Sequence, residues 1–243
     1  MYKTKNLLSV GNDAKTVKGE ALGFLTGILY LLPSDQSGYQ VCPMAKKARC
    51  ETPCLNSAGR GAFNSVQLSR LNKTLWFFED RETFMAQLVK NIRSLVKKAN
   101  KLGLSPRVRL NGTSDIRWET VRFDFVGTDN VFYQYDNIFQ MFPDVIFYDY
   151  TKDANRSELP SNYDLTFSYS GVDEFQPYVE KALAKGMRMA VVFRKEDQIP
   201  ATFRGIPVVS GDKSDVRDLD DQGVIVGLYA KGKAVYDTTG FVV

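Results

Sequence analysis

Short apolar runs recur along the chain, each closed by a polar turn that carries glycine, asparagine or serine. This recurrence restricts the fold more than any other feature. Seven runs read as strands: Leu25 to Leu32, Pro106 to Leu110, Asp144 to Tyr150, Tyr163 to Ser168, Met187 to Phe193, Ile206 to Val209 and Gly223 to Tyr229. Continuous apolar runs this short suit strands buried on both faces of a sheet. Between them lie helical patterns. A helix is predicted from near Phe63, carrying Val66, Leu68 and Leu71. A longer one is capped by Asp80 and runs through Leu102, with Phe84, Leu88, Ile92, Leu95, Val96 and Ala99 on one stripe and Gly103 as its terminator. A short helix over Asp136 to Phe142 is stopped by Pro143, and another opens near Asp173 and ends at Gly186. The segment from Ile116 to Tyr135 reads as a short hairpin with Val121, Phe123 and Phe125 alternating, and residues 1–20 as an N-terminal arm. Strands alternating with helices predict a parallel sheet. Six or seven in one chain predict a full or partial (β/α) TIM-like barrel, one domain over residues 1–243, with the last connections too short for long helices.

All three cysteines, Cys42, Cys50 and Cys54, fall within thirteen residues, directly after the first of these strands, and the chain has no histidine. An odd number of thiols argues against a disulfide framework. Without histidine, Ser–His and Cys–His catalysis are excluded. Thiolates gathered on one loop are the usual ligands of iron–sulfur clusters, whereas a structural zinc wants four donors and would need a carboxylate such as Glu51 as the fourth. Three unligated thiols packed as small apolar groups are the plain alternative. In a parallel barrel the functional face lies at the C-terminal strand ends, where this loop emerges.

A three-cysteine loop after the first strand of such a barrel resembles the radical S-adenosylmethionine (SAM) superfamily. That resemblance implies a 4Fe–4S cluster held by Cys42, Cys50 and Cys54, with the open iron chelated by SAM or another small ligand, and a reductant as partner. The common spacing there places three and then two residues between cysteines; here the gaps are seven and three. The Cys-Pro pair, Leu165-Thr-Phe-Ser168 and Gly240-Phe-Val-Val243 are also similar to a family of bacteriophage proteins, a likeness that implies no particular activity. If SAM binds, polar residues at the strand ends are its expected contacts: Asn111, Thr113, Ser114 and Asp115; Ser168 and Ser170; Arg194 and Lys195; Asp212; and Lys231. Backbone amides around Gly59-Arg-Gly61 would be further contacts. The alternative for each is an ordinary strand-end cap.

The competing functions are a non-catalytic iron–sulfur protein and a zinc-stapled module acting on nucleic acid during phage infection. The net charge of +4 is mild. Basic residues cluster at Lys46, Lys47, Arg49 and Arg60, where they would balance an anionic cluster, and at Lys90, Arg93, Lys97, Lys98 and Lys101, the solvated face of a helix. Phe123, Phe125, Phe132, Tyr133 and Tyr135 offer base-stacking rings, with packing as their plainer use. No base-reading motif is present, and nucleic acid stays open as a partner. The acidic run Asp212, Asp215, Asp218, Asp220 and Asp221 lacks the pattern of a calcium loop and reads as solvated. The longest apolar run is too short and glycine-broken to span a bilayer. A cytoplasmic protein with no signal peptide and no membrane partner is expected, in the host cytoplasm if phage-encoded.

Overall fold

The computed structural model describes residues 3–11, 14–127, 129–212 and 214–243. In chain order its elements are β1 (Leu8–Val10), α1 (Ala14–Glu20), β2 (Phe24–Leu29), α2 (Asn64–Glu79), α3 (Arg81–Leu102), β3 (Ser105–Arg109), β4 (Phe123–Val126), β5 (Phe132–Tyr135), α4 (Ile138–Met141), β6 (Ile146–Thr151), β7 (Tyr163–Ser168), α5 (Gln176–Ala184), β8 (Met189–Phe193), β9 (Thr202–Phe203), β10 (Ile206–Ser210) and β11 (Ile225–Tyr229). Nine strands form one sheet in the order β1-β2-β3-β6-β7-β8-β11-β10-β9. The interior pairings from β2 to β10 are parallel, and β1 and β9 add antiparallel edges. The hairpin β4–β5 stands apart as a second, antiparallel sheet.

The predicted (β/α) TIM-like barrel is therefore corrected to an open, mixed α/β sheet. Its two edges, β1 and β9, do not pair with each other. Two physical causes are visible. After β8 the chain turns back through β9, so β11 inserts between β8 and β10 instead of extending the order. The crossovers after β6 and β10 carry no α-helix, and the described residues contain five α-helices in all, one of them a single turn. The alternation of strand and helix was real; its regularity was not.

The long helix α3 anchors the outer layer. Asp80 accepts a hydrogen bond from the Thr83 amide at its start, and Gly103 at φ 66° ends it in the left-handed conformation. Its stripe of Phe84, Met85, Leu88, Val89, Ile92, Leu95 and Ala99 is buried against Leu25, Leu29, Val108, Leu110 and Phe147 of the sheet. Each of the larger side chains contributes roughly 1.5–3 kcal/mol by leaving water. A second cluster packs Phe175, Val179 and Ala182 against Phe167, Met189, Val191 and Ile225.

Period-two alternation sends the other residues of these strands to the inner, concave face, which is polar. Thr26, Arg107, Arg109, Thr166 and Arg188 are all buried there. Their partners come largely from the acidic run after β10, which is not a solvated loop. It crosses the concave face: Arg109 pairs with Asp215 at 3.1 Å, Arg107 with Asp218 at 2.9 Å, and Arg217 with Asp220 at 2.9 Å. Arg188 reaches Asp164 and, at 2.8 Å, the Asp220 carbonyl. Arg188 and Arg217 have no exposed surface. A seam of charge pairs thus joins β3 to the segment following β10, across the gap that backbone hydrogen bonds leave open.

Candidate functional site

Above this seam, at the C-terminal ends of the parallel strands, lies a cavity of about 300 Å³. All three cysteines line it, together with Asn111 to Asp115, Lys152, Ser168, Asp212, Asp215 and Lys231. Local backbone geometry explains how the thiols arrive. The chain leaves β2 through Pro33, and the Val41 amide donates to the Ser34 carbonyl. One helical turn follows, held by Ala48 N–H to Met44 O at 2.9 Å and Cys50 N–H to Ala45 O at 3.1 Å, with Arg49 at φ 54° reversing the chain. Ala45 and Ala48 are buried and seat this turn. Cys54 then caps a tight turn over Leu55–Ser57, its sulfur accepting from the Asn56 amide at 3.5 Å.

The sulfurs are not bonded to one another. Cys42 and Cys50 each donate weakly to a backbone carbonyl, of Thr113 and of Ala45, at 3.7 Å. Burial pushes all three thiols up, Cys50 to about 11. As bare thiols they stay protonated at neutral pH, which makes them poor nucleophiles. Lys152 faces them. Its Nζ donates to Ser168 O at 2.9 Å, Ser168 Oγ at 3.0 Å and Tyr169 O at 3.2 Å, and it sits over the rings of Phe241 and Phe175. Burial pulls this ammonium down, opposed by Cys50 and Asp115. All three of its donors are used on neutral acceptors, and a buried cation so placed favours negative charge at the thiols.

Of the residues expected to touch a cofactor, Asn111, Thr113, Ser114, Asp115, Ser168 and Asp212 line the cavity, as does Lys231. Their polar atoms are engaged in holding the walls. Asn111 Oδ1 accepts from Ser114, the Ile116 amide and the Trp118 indole. Thr113 Oγ1 donates to Leu31 O. Asp115 pairs with Arg156 at 3.4 Å and accepts from the Lys152 amide at 2.8 Å, and Asp212 pairs with Lys231. Gly112 lets this loop press on β2, since a Cβ there would lie 2.6 Å from Tyr30 and 2.7 Å from Leu29 O.

Ser170, Arg194 and Lys195 lie outside the cavity lining. Ser170 is buried and donates to Ala48 O at 2.9 Å. The end of β8 is covered by the C-terminal segment: Arg194 N–H bonds Val243 O at 2.7 Å and its guanidinium reaches Val235 O at 3.2 Å. Lys195 begins a short turn there. The Gly59–Ala62 turn packs against Asn56 and is likewise not part of the wall. Lys18, Arg109, Tyr150, Lys152 and Asp215 were missed, though all line the cavity. Alternating Arg107-Val-Arg109-Leu and Tyr148-Asp-Tyr150 were the available signal, a polar inner face written at period two.

Among the described residues, no three Cys, Asp or Glu side chains converge as the ligands of a single metal ion would. A tetrahedral zinc therefore does not fit this donor arrangement.

The polar network behind the site has a pH signature. Burial raises Asp149 to about 7, against Arg109, the Asn111 amide, Arg156 and the Tyr163 hydroxyl. Burial raises Asp115, Asp164 and Asp220 as well. An unfolded aspartate titrates near 3.9, so between about pH 4 and pH 7 the folded chain holds more protons than the unfolded one. Stability should fall as pH rises through that window. Thermal melts at intervals from pH 5 to pH 8 should show a declining midpoint, flattened by Asp149→Asn; a midpoint that climbs over this range would refute the assignment.

A family model described as Gene product 88 matches residues 6–243. The chain belongs to the Gene product 88 family. This agrees with the likeness to bacteriophage proteins in the sequence. No curated protein and no solved structure matches the chain. No helix among the described residues is long and apolar enough to cross a membrane.

Proposed function

We propose that this member of the Gene product 88 family is an iron–sulfur protein, with Cys42, Cys50 and Cys54 as cluster ligands and a radical-SAM-like activity at the adjoining cavity. The observation that supports the reading is that every thiol in the chain lines the same cavity as Lys152, a buried cation bonded only to neutral acceptors. When bound, such a cluster supplies one-electron chemistry and, with three protein thiolates, an iron free to take a small ligand. The chain's own residues do the rest. Lys152 offsets the anionic charge of the thiolates. The Asn56 amide, already aimed at Cys54, would hydrogen-bond its sulfur. Met44, Pro53, Leu55, Val192 and Phe241 give the cavity an apolar share of its lining, while the pairs Asp212–Lys231 and Arg109–Asp215 offer both signs of charge to a zwitterionic ligand such as SAM.

A non-catalytic iron–sulfur role is the second reading. The engagement of Asn111, Ser114 and Asp115 in loop-holding bonds favours it, since those groups have little hydrogen-bonding capacity left for a ligand.

Anaerobic reconstitution with ferrous iron and sulfide tests the first step. A brown protein absorbing near about 400 nm and, after reduction, giving a paramagnetic resonance signal is expected. Uptake of zinc with no chromophore would sink the iron–sulfur reading. SAM added to the reduced protein should change that signal and release 5′-deoxyadenosine; a signal that stays as it was leaves the non-catalytic role.

A further inference from the structure

The outer face of α3 and the hairpin beside it form a second surface, on the convex side of the sheet and apart from the cavity. Lys90, Arg93, Lys97, Lys98 and Lys101 are all exposed on α3, whose only acidic residue is Glu82 in the first turn. At 3.6 residues per turn these five fall within one broad stripe that runs about 16 Å along the axis. None of them is joined to a carboxylate among the described residues. A solvated helix face ordinarily mixes both signs of charge; this one holds cations alone.

The stripe abuts aromatic rings. Arg93 lies over Phe125 at 4.9 Å. The hairpin register places Phe125 opposite Tyr133 and Phe123 opposite Tyr135, on the face turned toward α3. Tyr133 and Tyr135 stack at 6.3 Å, and Tyr133 keeps 39% of its surface exposed. Phe132, on the other hairpin face, is 59% exposed. Phe123 is buried in the core, so packing accounts for it but not for Phe132, while Tyr133 is held in place by its hydroxyl, which donates to Asp129 Oδ2 at 2.8 Å, with its ring still partly exposed.

We propose that this surface binds single-stranded nucleic acid, the phosphates tracking the α3 cations and a base stacking on Tyr133. A cationic track beside exposed rings is the chemistry that holds single strands without reading sequence. An anionic membrane is the weaker match. The apolar side of α3 is spent in the core at Leu88, Ile92 and Leu95, which leaves no apolar face to enter a bilayer.

The test is fluorescence anisotropy of a labelled thymidine 20-mer with the full chain, titrated at about 50 and about 200 mM salt. Wild-type protein should bind, and weaken steeply with salt. Lys97→Glu with Lys101→Glu should cut affinity at least tenfold and flatten the salt slope. Tyr133→Ala should weaken binding about tenfold with the slope unchanged, because stacking releases no counterions. All three positions are on the surface, and circular dichroism melts matching the wild type would show that the variants fold. No binding by the wild type at the lower salt overturns the assignment. So does equal affinity in wild type and variants, or binding to phosphatidylserine vesicles in place of the oligonucleotide.

Discussion

Serine at Cys50 is expected to abolish iron and sulfide uptake, with the same result at Cys42 and at Cys54. Each thiol is anchored separately: Cys42 at the Thr113 loop, Cys50 at the end of the buried helical turn, Cys54 at the start of the next. None can be replaced by a neighbour, since no other cysteine and no histidine exists in the chain. Iron and acid-labile sulfide measured after anaerobic reconstitution should fall to background in all three variants, and the absorption near about 400 nm should disappear. The folded state should survive, because a cysteine-to-serine change at a half-buried position leaves no large cavity. Retention of full iron and sulfide by any one variant would remove that residue from the ligand set. Retention by all three would remove the cluster.

Alanine at Asp215 should be the most damaging single change to stability. Arg109 is 3% exposed, and its charge is supported by Asp215 at 3.1 Å, with Asp149 more distant at 3.9 Å. Burial opposes the guanidinium's charge, and these carboxylates together with Tyr150 outweigh it. Taking one partner from a buried ion pair costs about 3–5 kcal/mol, because the remaining charge is left desolvated. That is a large share of the ~5–15 kcal/mol that holds a typical domain together. Urea denaturation should show the midpoint shifting down accordingly. The double replacement Arg109→Leu with Asp215→Leu should recover much of the loss, as both charges leave together. A single variant within about 0.5 kcal/mol of the wild type would show that the seam carries no weight.

Much of the framework was legible in the chain. Tyr163 to Ser168 was bounded as the structure has it, and the Asp80 cap, apolar stripe and Gly103 of α3 were all read from local rules. Those features depend on neighbours in sequence. Closure of the sheet does not. It depends on where β11 enters the order, which no local pattern encodes, and the count of strands alone suggested a barrel that the turn-back at β9 prevents. The acidic run was misread for the same reason. Its partners, Arg107, Arg109 and Arg188, lie 32 to 111 residues away, and no local pattern pairs a loop with strands so distant in the chain. At the site, the thiols were found because they are clustered in sequence, and Asn111 to Asp115 because they follow a strand. Arg194 and Lys195 follow one too, but the last three residues of the chain pack over that strand end.

The seam across the concave face has a mechanical consequence. Flanks of a sheet joined by a backbone ladder separate only if hydrogen bonds break one after another, whereas flanks joined by side-chain ions can part and rejoin with every strand pairing intact. The cavity floor is therefore a latch rather than a weld. Removing Asp215 should loosen it while β2, β3 and β8 keep their amides protected, a difference that hydrogen exchange would register as faster exchange confined to residues 214–221.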